Sequence, residues 1–191
     1  MTPETILSIC LGIGLSASVG FRVFLPLFAL SLAAHFDVWQ LNESWQWVGS
    51  MPALITLGVA TVVEICAYFI PYIDNLLDTI AVPLAALAGT AVMLSTVADL
   101  SPVTTWALAI IAGGGTAAAI AGTSSTTRLA STATTGGVAN PVVSTLETGT
   151  SVVMSALSIF VPIAAIVLVV IMLIIIFKLY TRFKRKKNTI V

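Results

Sequence analysis

Gly113-Gly-Gly-Thr-Ala-Ala-Ala-Ile-Ala-Gly122, continuing as Thr123-Ser-Ser-Thr-Thr-Arg128-Leu-Ala-Ser-Thr-Ala-Thr-Thr-Gly136-Gly137-Val-Ala-Asn140-Pro141 and running on to Glu147, decides how the chain is read. It is built from small residues and hydroxyls, with Arg128 and Glu147 as its charges, between two strongly apolar segments. A solvated linker of this length would carry Lys, Glu or several prolines. Small and hydroxyl-bearing residues instead suit backbone that leaves regular helix inside a membrane, where neighbouring protein or a wet cavity satisfies its polar groups. The stretch is therefore expected to be a broken or re-entrant segment at the working centre. A Ser/Thr-rich loop outside the membrane is the alternative.

Outward from it, the composition excludes a soluble domain. The chain has 191 residues, 58% hydrophobic and 8% charged, with a mean hydropathy of +1.08. One span with its connection takes about 25–35 residues, so the length fits one bundle. The expected class is an all-α polytopic membrane helix bundle with broken or re-entrant glycine-rich segments. Residues 1–177 form the bundle and residues 178–191 a basic tail.

Zero net charge conceals an asymmetry. Six of the eight basic residues (Lys178, Arg182, Lys184, Arg185, Lys186 and Lys187) fall in the last fourteen positions, leaving two basic and eight acidic groups in residues 1–177. By the positive-inside rule this tail faces the cytoplasm, and the expected location is the plasma (inner) membrane. The start, Met-Thr-Pro-Glu4, lacks the positive region of a secretory signal, so a retained helix is expected from about Thr5. Cys10 and Cys66 lie in apolar segments and read as small hydrophobes.

Thr5–Ala34 is too long for one straight span and too short for two. Gly12, Gly14, Gly20 and Pro26 offer a break beside Arg22. Trp39, Trp45 and Trp47 mark an interfacial loop in which His35 has no second histidine for a metal site. Further spans are expected at Met51–Ile70, ended by Pro71, then Thr79–Ala98, a turn at Asp99–Pro102, Val103–Gly122, and Thr150–Phe177. The last is overlong and must tilt, kink at Pro162 or protrude. The count is five spans, or six if residues 127–147 cross on their own.

An ionisable residue at the middle of a spanning helix costs about 2.5–3.5 kcal/mol, against about 0.3–0.6 returned by a leucine. Arg22, Glu64, Arg128 and Glu147 are therefore the primary candidates for a solute or ion pathway. Mutual pairing is expected, Arg22 with Glu64 or Glu147 and Arg128 with the other. Asp74 and Asp78 share a helix face at i, i+4. Asp74 suits a helix cap and Asp78, a turn deeper, an arginine partner. Asn140 completes the pathway set. Gly20, Pro26, Asp74, Gly122, Gly136, Gly137 and Pro141 support it.

Three motifs carry a resemblance: Gly12-x-Gly-Leu-Ser-Ala…Gly20-Phe-Arg-Val-Phe-Leu-Pro26-Leu, Glu64-Ile-x-Ala-Tyr-x-Ile-Pro-x-x-Asp74-Asn-x-Leu-Asp78, and Thr127-Arg-Leu-Ala-Ser-Thr-Ala-Thr-Thr-Gly-Gly…Asn140-Pro-Val-Val-Ser-Thr-Leu-Glu147. The chain resembles, over nearly its whole length, the membrane family catalogued as domain of unknown function 4126. The resemblance implies a Glu-Asp pair after Asn-Pro and a Lys before Arg128. This chain has Glu147-Thr148 and Thr127 there. A family without a known activity supports the site residues and supplies no function.

The reading favoured by the residues is a transporter or permeation protein for a small solute, with arginines and helix N-termini suiting an anionic group and a glutamate suiting proton coupling. The alternative is a membrane scaffold whose charges are structural, ahead of an intramembrane lipid-phosphate enzyme. No catalytic residue, metal ligand set, cofactor or nucleic-acid partner is expected. The lipid bilayer is the expected surrounding, and so small a bundle points to a homo-oligomer.

Overall fold

The computed structural model describes residues 2–70, 73–97 and 100–187. Pro71 and the Asp99 end of the predicted turn lie outside the described residues. The architecture is all-helical: α1 (Pro3–Val19), α2 (Phe24–His35), a short 3-10 segment (Glu43–Gly49), α3 (Met51–Ala67), α4 (Ile73–Thr96), α5 (Pro102–Leu108), a π-helical segment (Ala109–Gly114), α6 (Gly115–Thr135), α7 (Asn140–Phe160) and α8 (Pro162–Lys187). Four helical stretches are long and apolar enough to cross a membrane: Ile73–Thr96, Pro102–Thr135, Asn140–Phe160 and Pro162–Arg182. The pair Glu43–Gly49 and Met51–Ala67, bent by 64°, passes the same test taken together, which gives up to five.

Three of these cover the expected spans Met51–Ile70, Thr79–Ala98 and Val103–Gly122, whereas the expected first and last spans are built differently. α1 and α2 do not form one bent span. Ser18 on α1 bonds Ser151 and Ser155 on α7 while Gly14 abuts Ser158, so α1 runs antiparallel to α7. α2 runs parallel to α7, since Arg22 before its start bonds Ser144 and Thr148 while Trp39 beyond its end bonds the Ile159 carbonyl. The two helices thus form a hairpin whose turn, Gly20–Val23, is inside the bundle. Pro26 falls in the first turn of α2, where its missing N–H is harmless.

The expected last span is also two pieces. α7 ends at Phe160 and α8 begins at Pro162, with Val161 outside helical geometry at φ −140° and ψ 67°. Gly14 meets Ser158 on one helix and Ala165 on the other, while Ala17, Met154 and Val169 share one cluster, so α8 returns alongside α7. Twenty-eight apolar residues fit by reversing rather than tilting. Beyond Phe177 the helix continues without interruption to Lys187, so the basic tail is an extension of α8.

The hydroxyl-rich stretch is a correction. It was expected to leave helical geometry, yet α6 runs from Gly115 to Thr135, through Gly122, and α7 starts at Asn140. The hydroxyls explain this: Thr123 donates to the Ala119 carbonyl, Thr126 to Gly122, Thr127 to Thr123 and Thr134 to Ala130, all at i−4. Each satisfies itself within the helix and needs no water. The irregular backbone is confined to the π segment upstream and to a turn at Gly136 (φ 64°) and Gly137 (φ 88°), left-handed geometry that glycine adopts without penalty. Pro141 follows in the first turn of α7.

We call the end carrying the tryptophan loop the loop end and the end where α8 finishes the tail end. The loop end is tied by Trp39, whose Nε1 donates to the Ile159 carbonyl (2.8 Å), and by His35 Nδ1 against the Gly49 carbonyl (2.8 Å). Between them α1, α4 and the π segment pack through small residues. A Cβ at Gly89 would stand 2.6 Å from the Ala117 methyl and 2.8 Å from the Gly113 carbonyl, so only hydrogen fits. Ser16 donates to the Gly89 carbonyl across the same seam (2.9 Å). Close backbone approach of this kind is the usual basis of helix packing in lipid, where the hydrophobic effect between helices is absent.

Candidate functional site

Toward the tail end the packing changes character. The α1–α2 turn delivers Arg22, α3 and its end deliver Glu64 and Tyr68, α4 delivers Asp78, α6 delivers Arg128, and α7 delivers Glu147. Arg22 and Arg128 are 1% and 2% exposed, among the most buried large side chains in the protein. Such burial of two guanidiniums requires partners.

Glu147 is the common one. Arg128 Nε donates to its Oε1 (3.3 Å) and Arg128 Nη2 to its Oε2, Arg22 Nη1 stands 3.5 Å from Oε2, and Ser124 Oγ donates to Oε1. Arg22 is further held by Thr148 Oγ1 (3.0 Å from Nε), the Ser144 carbonyl (2.9 Å) and Ser144 Oγ (2.6 Å), all on α7. Both guanidinium carbons lie 4.0 Å from the centroid of the Tyr68 ring, within cation–π range. Arg128 Nε is also 3.8 Å from Asp78 Oδ1.

Of the pairings the sequence left open, Arg22–Glu147 forms. Arg128 takes Glu147 and Asp78, and Glu64 takes neither arginine. Glu64 Oε1 accepts from the Val23 amide (2.7 Å) and Oε2 from the Phe24 amide (3.0 Å). These are the unfilled donors at the start of α2, which has no side-chain cap of its own. An anion at a helix N-terminus buried in the bundle both satisfies the amides and meets the positive end of the dipole. Asp74 and Asn140 lie nearer the tail end: Asn140 Nδ2 donates to Asp74 Oδ2 (3.1 Å) and Thr132 Oγ1 (3.0 Å), and the Asn75 amide donates to Asp74 Oδ1 (2.7 Å). Asp74 accepts one early amide of α4 and fastens α4 to α7.

The remaining expected residues divide. Gly20 belongs to the α1–α2 turn and Pro26 to the first turn of α2, while Gly136 and Gly137 form the α6–α7 turn and Pro141 follows Asn140 in the first turn of α7. Gly122 lies within unbroken helix, where an added methyl would meet Val82 at an ordinary 3.9 Å, and does not contribute a break. Tyr68, Ser124, Ser144 and Thr148 had not been singled out by role. The signal for them was available in part, since a buried arginine with five N–H donors needs more acceptors than one carboxylate offers.

Two spaces adjoin the cluster. A small cavity of about 20 Å³ is lined by Glu64, Tyr68, Asp78, Ser125, Arg128 and the α1–α2 turn, with room for about one water. Nearer the tail end a vestibule of about 430 Å³ is lined by Tyr68, Asp74, Asn75, Thr132, Asn140 and the Gly136–Gly137 turn. Tyr68 borders both. Among the described residues, the buried polar atoms without a partner are Ser125 Oγ, Arg128 Nη1, Ser131 Oγ and Asn140 Oδ1. All four belong to α6 or the start of α7; Ser125 and Arg128 line the cavity and Asn140 the vestibule. Among the described residues no group of His, Cys, Asp and Glu is placed to hold a metal ion.

Fold and site together define a multi-pass membrane helix bundle with an ionic cluster buried in one half. The chain belongs to the family described as a domain of unknown function (DUF4126), whose model matches residues 9–182. No curated protein and no solved structure matches the chain.

Proposed function

We propose that the protein is a transporter or permeation protein for a small solute carrying an anionic group, entering from the tail end. The observation that supports this best is Arg128: 2% exposed, with Nη1 unpartnered, beside a water-sized cavity that shares Tyr68 with an open vestibule. Buried cationic donors left without an acceptor are expensive in a purely structural network. An incoming carboxylate or inorganic anion would supply the missing acceptor. On this reading the tail and the vestibule face the cytoplasm from a plasma membrane, an orientation that the positive-inside rule supports. The remaining expectations, a homo-oligomer in a lipid bilayer and no enzymatic activity, belong to this same reading.

A second reading is favoured by Glu64 and Glu147, which are fully engaged in capping α2 and bridging two arginines. On it the cluster holds helices in register and the protein is a scaffold. Flux separates the two. Purified protein in liposomes, tested with chloride, nitrate, acetate and phosphate gradients, is expected to move at least one anion faster than protein-free liposomes, with a loss of about tenfold in Arg128→Gln, as removal of about 1.4 kcal/mol of binding would give. Flux equal to that of protein-free liposomes for every anion contradicts transport and leaves the scaffold.

A further inference from the structure

Arg22 and Arg128 are the only Lys or Arg side chains in residues 1–177. They face three buried or half-buried carboxylates, Glu64, Asp78 and Glu147, so the cluster contains one more acid than it has cations. Asp74, a turn earlier on α4 and 5% exposed, adds another acid at the rim. His35, against the Gly49 carbonyl at the loop end, is too far along the bundle to help. An uncompensated carboxylate away from water is neutralised, because keeping it charged is far more costly than binding a proton.

The hydrogen bonds select which acid this is. Both oxygens of Glu64 accept backbone amides, and both oxygens of Glu147 accept from Arg128, with Ser124 on one and Arg22 near the other. Asp78 has a single 3.8 Å approach to Arg128 Nε and, among the described residues, no hydrogen bond. Its side chain is 14% exposed and lines the small cavity with Arg128 and Ser125, both of which carry unpartnered atoms. The charged and titratable groups around it are Arg128 from α6, Glu147 from α7, Arg22 from the α1–α2 turn, Tyr68 and Glu64 from α3 and its end, and Asp74 on α4.

We infer that Asp78 is the proton-exchanging group of the cluster, served by water in the adjoining cavity, which shares Tyr68 with the vestibule. A hydronium arriving through the vestibule gives its proton to an Asp78 oxygen and leaves as water. Nothing else forms or breaks. Neutral Asp78 releases its hold on Arg128, whose Nη1 already lacks a partner, so proton uptake and anion binding favour each other. This coupling rests on the transport reading; the proton site does not.

The test is an infrared pH titration of the protein in liposomes, following the carbonyl stretch of protonated carboxyls and its shift in deuterium oxide. The expected result is a band that disappears as the pH rises, is lost in Asp78→Asn, moves in Asp78→Glu and persists in Glu64→Gln. Absence of such a band in the wild-type protein, or its persistence unchanged in both Asp78 variants, overturns the inference. The wild-type and Asp78→Glu spectra decide the matter if Asp78→Asn does not fold. A titrating Asp78 band without anion flux contradicts transport and leaves the proton site standing, whereas flux without that band does the reverse.

Discussion

The two halves of the bundle are held together by opposite means. At the loop end and through the middle, glycines and serines let α1, α4, the π segment and α7 approach until backbone meets backbone, as at Gly89 and Gly113. Toward the tail end, long charged side chains keep helices apart, and the space they leave is the cavity beside Asp78 and the vestibule beyond Tyr68. The difference indicates that closure and reactivity are divided along the membrane normal. A path entering at the tail end meets buried charge and then a seam with no room for a methyl group.

Glu147→Gln attacks the polar half at its centre and carries the largest expected effect. It leaves Arg22 with only neutral partners on α7 and Arg128 with only the 3.8 Å approach of Asp78, which should cost about 3–5 kcal/mol and appear as a steep fall in melting temperature in detergent. Glu64→Gln removes a charged acceptor from the Val23 and Phe24 amides, for about 1.5–3 kcal/mol. Here the α1–α2 turn should also become more accessible to hydrogen exchange, while α7 and α8 keep their protection.

The apolar half is tested by Gly89→Ala, whose methyl collides with backbone and with Ala117. About 1–3 kcal/mol of overpacking is expected, read by the same melt, with the ionic cluster unaffected. Ser18→Ala removes the hydroxyl shared with Ser151 and Ser155 and should cost only about 0.6 kcal/mol. If Ser18→Ala proved as damaging as Glu147→Gln, the contrast between the halves would be lost.

The membrane bundle was legible because hydropathy and the scarcity of charge leave no other class. Arg22, Glu64, Arg128 and Glu147 were legible for the same reason: each is too expensive at depth to be incidental. Their pairing was not, because Glu64 serves amides 41 and 40 residues away at the start of α2, and that requires the α1–α2 hairpin to be known. The hydroxyl-rich stretch misled because Ser and Thr are poor helix formers in water, whereas α6 lets them bond their own carbonyls. The reversal at Val161 was concealed because residues 159–177 are apolar apart from Pro162, and the nearest hydroxyl, Ser158, lies inside α7 against Gly14.

The division between a sealed seam and a wet half is tested most directly by cysteine accessibility along α6. Single cysteines at Ala117, Ala121, Ser125 and Thr132, which share one face of the helix with Arg128, are placed in a background lacking Cys10 and Cys66 and exposed to a membrane-impermeant thiol reagent from each side. Labelling from the tail side should be fast at Thr132, slower at Ser125 and Ala121, and absent at Ala117, with no labelling at any of the four from the loop side. Equal labelling at all four positions, or labelling at Ala117 from the loop side, would contradict the account.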